Sequence, residues 1–125
     1  MTIAWIKTLF VVAGVYDGVL GAAFLLFGQR IYELSGVTPP NHVGYVQFPS
    51  LLLIIFAVMF FRVAADPARN RELMLYGAGL KLAYCGVVFG HDLVSGLPTL
   101  WIPWAWADLV FLVLFLIAWR QTAKG

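Results

Sequence analysis

Three ionisable residues, Asp17, Lys81 and Asp108, lie in the middle of long apolar runs. At such a position one charge costs about 2.5–3.5 kcal/mol on membrane-insertion scales. Their depths follow from the nearest basic anchors, at about 1.5 Å per helical residue. Asp17 is ten residues past Lys7, and Lys81 is ten past Arg71; each is then about 15 Å deep. Asp108 is twelve residues before Arg120, about 18 Å deep. Two acids and one base therefore share one level, near the middle of a hydrocarbon core about 30 Å thick. Tyr16 and Tyr84, at about 14 and 20 Å, lie close to that level. Such a charge layer has two uses. It can lock helix register as a buried ion pair, or it can form a polar site for a proton, an ion or a ligand head group.

The elements that must hold this layer are membrane helices. The chain has 125 residues, of which 8 are Lys or Arg and 6 are Asp or Glu, 11% in all, while 62% are hydrophobic. A typical soluble domain carries roughly 25% charged residues. The composition excludes a disordered chain, a nucleic-acid-binding tail and an ordinary soluble domain. Each spanning helix needs about 20 apolar residues, so four spans are the ceiling for this length. The expected fold is all-α: a single transmembrane domain over 1–125, an integral four-helix bundle. Its spans cover approximately 5–27, 44–64, 73–94 and 101–119. Gln29 to Ser35 is expected as a short interfacial helix, ended by Gly36 and the run Thr38-Pro39-Pro40-Asn41. Pro49 marks either the first turn of the second span or a kink within it. Asp66-Pro67 is expected to start the third span, with Asp66 as N-cap.

Positive residues set the orientation. With four spans, the termini and the middle loop share one side, which holds Lys7, Arg62, Arg69, Arg71, Arg120 and Lys124; the other holds Arg30 alone. Positive residues stay cytoplasmic, so both termini are expected in the cytoplasm. Trp101, Trp104 and Trp106 then form an outer aromatic belt, with Trp5 and Trp119 at the inner interface.

Spacing indicates which way the charges face. Gly14, Asp17, Gly18 and Gly21 share one stripe, and small residues mark the packed face of a membrane helix. Gly77, Lys81 and Tyr84 share another stripe, and Trp104 lies four residues before Asp108 on one face. Gly14 with Gly18, and Gly86 with Gly90, form GxxxG pairs that predict close packing within the chain or with a partner. On the outer side, Tyr45 and Gln47 could line a cavity mouth, and His42, His91, Asp92 and Trp104 are further outer-face candidates. For the two histidines, solvated loop positions are expected rather than haem or metal ligation. Cys85 is expected as a small buried hydrophobe, and a lone cysteine excludes an internal disulfide and a CxxC pair. No P-loop, HExxH or GxSxG is present, so neither catalytic residues nor a metal site are expected.

The layout resembles the small DoxX-like membrane proteins of bacteria. The likeness lies in the size, the four spans, the glycine-rich segment Tyr16-Asp17-Gly18-Val19-Leu20-Gly21, the stretch from Thr38 to Pro49, and Lys81-Leu82-Ala83-Tyr84-Cys85. This resemblance implies a bacterial inner-membrane location. It also implies kinship with proteins of which some are thought to be membrane subunits of quinone-linked oxidoreductases. It transfers no catalytic residue to this chain, and it speaks to fold more than function. The expected function is a non-catalytic accessory subunit, or a module binding a quinone, a lipid or another small ligand at the Asp-Lys-Asp layer. Expected partners are membrane lipid and either complex subunits or further copies of the chain, not nucleic acid. The alternative is a homo-oligomeric small-solute or proton-coupled transporter using the same charges. Below the layer, the first and third spans offer only Thr8 and Tyr76 as polar residues toward the inner side. That asymmetry favours binding over transport.

Overall fold

The computed structural model describes residues 2–123, which leaves Lys124 of the orientation count outside the described residues. It contains four helices in chain order: α1 (Thr2–Ser35), α2 (Gly44–Ala65), α3 (Arg71–Ser95) and α4 (Ile102–Gln121). A short 3-10 turn, Thr99–Trp101, leads into α4. All four helices are long and apolar enough to cross a membrane. Their outward faces carry large apolar side chains, among them Val19, Ile55, Leu82 and Val110, each more than half exposed. Such a surface would drive aggregation in water, and it is the expected outside of a bundle solvated by lipid.

The bundle consists of two helical hairpins. α1 packs along α2, and α3 packs along α4, while the two hairpins approach each other less closely. Small residues make the first pairing close. A Cβ on Gly14 would meet the Phe61 ring at 2.6 Å, and one on Gly21 would meet the Ser50 carbonyl oxygen at 2.7 Å. The glycine stripe of α1 is thus a packed face, as its spacing predicts. The second GxxxG pair behaves differently, because among the described residues nothing lies within 4 Å of a Cβ built on Gly86 or Gly90. We therefore expect opposite results from the same substitution. Gly21→Ala forces backbone apart and should destabilise by about 1–3 kcal/mol, the usual cost of overpacking. Gly86→Ala should be neutral, or stabilising by a few tenths of a kcal/mol through helix propensity. Thermal unfolding of both variants in one detergent checks this, and equal losses would contradict the described packing.

Both termini lie at one end of the bundle. Trp5 Nε1 donates to Gln121 Oε1 at 3.0 Å, joining the start of α1 to the end of α4. The Arg71 guanidinium stacks on the Trp119 ring at 4.2 Å and donates through Nε to the Trp119 carbonyl at 2.9 Å. That end is filled by a core of Ile6, Phe10, Phe60, Val63, Met74, Phe115 and Ala118.

Local structure sharpens two of the sequence-based expectations and departs from a third. The segment 29–35 is continuous with α1, but Phe27 leaves helical geometry (φ −127°, ψ 20°). The kink turns the last two turns of α1 over the end opposite the termini. Tyr32 is thereby buried against Trp101 and Phe24, at ring separations of 5.7 and 6.2 Å. Second, α2 begins at Gly44, as expected, so of the two positions expected for Pro49 it takes the one inside the span. Third, α3 begins at Arg71, not at Pro67. Asp66 Oδ1 instead accepts from the Arg69 amide at 3.2 Å, and Asn70 Nδ2 donates to the carbonyls of Arg62 and Asp66. Those side-chain bonds satisfy the open carbonyls at the end of α2, so the connection stays a turn for four more residues.

Candidate functional site

The three mid-membrane charges meet. Lys81 Nζ lies 2.8 and 3.0 Å from the two carboxylate oxygens of Asp17, and 3.1 Å from Oδ1 of Asp108. Asp17 and Lys81 are each 1% exposed. Lys81 thus donates to both oxygens of Asp17 and pairs with one oxygen of Asp108. Aromatic rings surround the rest of the cation: Nζ lies 5.4 Å from the Tyr16 ring centroid, 5.2 Å from Phe111 and 5.7 Å from Phe60. Their π faces add electrostatic attraction in a buried site. The stripe logic therefore holds for Asp17 on α1, Lys81 on α3 and Asp108 on α4. Gly77, one turn below Lys81, is small because the Phe60 ring occupies the place of a side chain.

Above the charge layer lies a cavity of about 360 Å³. This is at the small end of the range for small-molecule sites. Its floor is formed by Asp17 and Asp108, and its walls include Leu80, Tyr84 and Trp104. It rises to Tyr32 and Trp101, and to Tyr45 near the start of α2, which is 68% exposed. Below the layer, Phe10 stacks on Phe115 at 4.6 Å, and Phe60 lies 5.2 Å from Phe115. The space between the hairpins is thus open at the end opposite the termini and closed by aromatic packing at the terminal end.

The wall chemistry is one-sided. Both carboxylates line the cavity, and Lys81 does not. Among the described residues, the only ion pair of Asp108 is its Oδ1 contact with Lys81. The hydroxyl protons of Tyr84 and Ser50 are donated to the carbonyls of Trp101 and Val46, at 3.0 and 2.7 Å. The floor carboxylates are therefore acceptors, while Trp104 on the same wall holds a donor, its Nε1–H, with no partner among the described residues. A head group bearing N–H or O–H can donate to that floor.

A second, wider groove of about 750 Å³ lies on the lipid-facing side between α1 and α4. It is lined by Val11, Val15 and Val19 among others, and it shares Leu20, Phe24 and Trp104 with the first cavity. The Tyr16 hydroxyl and the Trp104 Nε1–H are buried there with no partner among the described residues.

The remaining sequence candidates have other places. His42 Nδ1 accepts from the Gly44 amide at 2.9 Å and shapes the turn before α2. Asp92 Oδ1 accepts from the Leu97 amide at 3.1 Å and closes the end of α3. His91 and Gln47 are exposed and lie apart from the cavity wall. No group of three metal-ligating side chains exists among the described residues. Cys85 is buried, as expected, with its thiol donating to the Ala105 carbonyl at 3.3 Å. Trp106 fits the belt, 57% exposed beside Phe89. Trp101 and Trp104 do not, because both turn inward to line the cavity. Sequence reasoning missed Tyr32 and Ser50 as wall residues. Tyr32 enters only through the kink at Phe27, and a lone serine in a span has no distinguishing pattern.

Searches with this chain match no family model, no curated protein and no solved structure.

Proposed function

We propose that this chain is a ligand-binding module of the bacterial inner membrane, with both termini cytoplasmic and no catalysis of its own. It holds an apolar molecule between its hairpins and serves as an accessory subunit to a membrane complex. The observation that carries this reading is the one-ended cavity. Polar lining stops at the charge layer, and the Phe10–Phe60–Phe115 cluster fills the space beyond it. A carrier needs access from both sides, whereas a binding site needs one entrance. The DoxX-like layout agrees with a subunit role and supplies no reaction.

Native mass spectrometry of protein extracted gently from its own membrane tests this. A fixed added mass, lost on harsher activation, is the expected result, and a co-released protein subunit would identify the complex. A bare homo-oligomer that moves solute across vesicle membranes would overturn the proposal in favour of transport.

A further inference from the structure

The cavity wall identifies the head group of its occupant more closely. We infer that the cavity takes a lipophilic amine, a molecule with an apolar body and one cationic nitrogen, whose N–H groups dock on Asp108 beneath the aromatic walls. This rests on reading the cavity as a ligand site.

Charge supplies the first reason. Two acids and one base leave the layer with a formal charge of minus one, and the only charged groups on the cavity wall are carboxylates. Lys81, 1% exposed, is turned to Asp17 and Asp108 and does not line the cavity, so it is not presented to an anionic ligand. Asp108 is 93% buried by its 7% exposure, and its second oxygen makes no ion pair among the described residues. A carboxylate oxygen so placed lowers its desolvation cost by accepting from a cation. The second reason is the walls. Tyr84, Trp101 and Trp104 line the cavity with Asp108, and an ammonium enclosed by aromatic rings gains cation–π attraction. Lys81 already occupies such a setting on the other side of the same carboxylates. The third reason is the route. The lipid-facing groove and the cavity meet at Leu20, Phe24 and Trp104. An amphiphile dissolved in the bilayer can lie along Val11, Val15 and Val19 and pass its head between those three side chains.

Three probes of one length separate the possibilities: ω-bromododecylamine, ω-bromododecanol and ω-bromododecanoate. The protein is held in nanodiscs of zwitterionic lipid, and bromine quenching of tryptophan fluorescence reports binding. Quenching abolished by the cavity-filling variant Leu80→Phe is the cavity signal, and the remainder is bilayer background. The amine should bind at least about tenfold more tightly than the alcohol, the size of a charge-assisted hydrogen bond, and the carboxylate should bind least. Asp108→Asn should remove the preference for the amine, while Asp108→Glu should keep it. The order among probes on the unaltered protein stands even if Asp108→Asn does not fold. A cavity signal equal for amine and alcohol, or strongest for the carboxylate, overturns the amine and leaves the ligand site. Absence of any Leu80-sensitive signal overturns both.

Discussion

Replacing Lys81 with methionine should cost about 3–5 kcal/mol of stability, the loss typical of breaking a buried ion pair. Methionine fits the space of the aliphatic stem, so the loss comes from charge. Asp17, 1% exposed, would keep its carboxylate at mid-membrane with its cation gone, and Asp108 would lose its ion-pair partner. Removing all the charges should behave differently. The triple variant Asp17→Asn, Lys81→Met, Asp108→Asn removes the uncompensated carboxylates and should recover most of the stability, because uncharged groups of similar shape often match a buried ion pair. Unfolding of the single and triple variants in the same detergent measures both. A single variant as stable as the parent would show that the three charges do not meet. A triple variant no better than the single one would show that the layer is worth more than its desolvation, and so adds net stability as well as register.

The second large effect belongs to the aromatic packing at the terminal end. Phe115 is 0% exposed and touches both Phe10 and Phe60. Phe115→Ala leaves a hole of roughly 100 Å³, which at about 24 cal/mol per Å³ costs about 2 kcal/mol. In water the transfer of the lost ring atoms would add to this. In lipid that part largely vanishes, since the hydrocarbon outside is as apolar as the core, and lost packing is what remains. Leu116, the next residue, is 41% exposed on the lipid side, and Leu116→Ala should change stability little. Thermal unfolding of the two neighbours tests the direction of the α4 face. A larger loss at Leu116 would reverse the face assigned to the core.

Much of this architecture is legible in the chain itself. Four apolar stretches of bilayer length leave room for little besides spans, because lipid admits only segments whose backbone bonds are internal. The depth of the charge layer is equally legible. A fixed rise per residue converts sequence separation into height, and Asp17, Lys81 and Asp108 reach one level by arithmetic. Facing was readable where small residues flank a charge, as around Asp17 and Lys81. It was not readable where two identical patterns have different neighbours. Gly14 and Gly18 pack on α2, whereas a Cβ on Gly86 or Gly90 would meet nothing within 4 Å among the described residues.

What tertiary structure alone decided is the cavity. Its depth depends on two hairpins that are tight within themselves and loose against each other, a property of pairs of helices that no single stretch encodes. Its roof depends on the kink at Phe27, where a change in one residue's dihedral angles swings Tyr32 onto Trp101. Its polarity depends on which member of the charge layer faces the space. The sequence determined that two acids and a base lie at one height, since height is a one-dimensional quantity. That Lys81 is turned away behind three carboxylate oxygens, leaving Asp108 on the wall, is a matter of rotation and lateral packing, which only the assembled bundle defines.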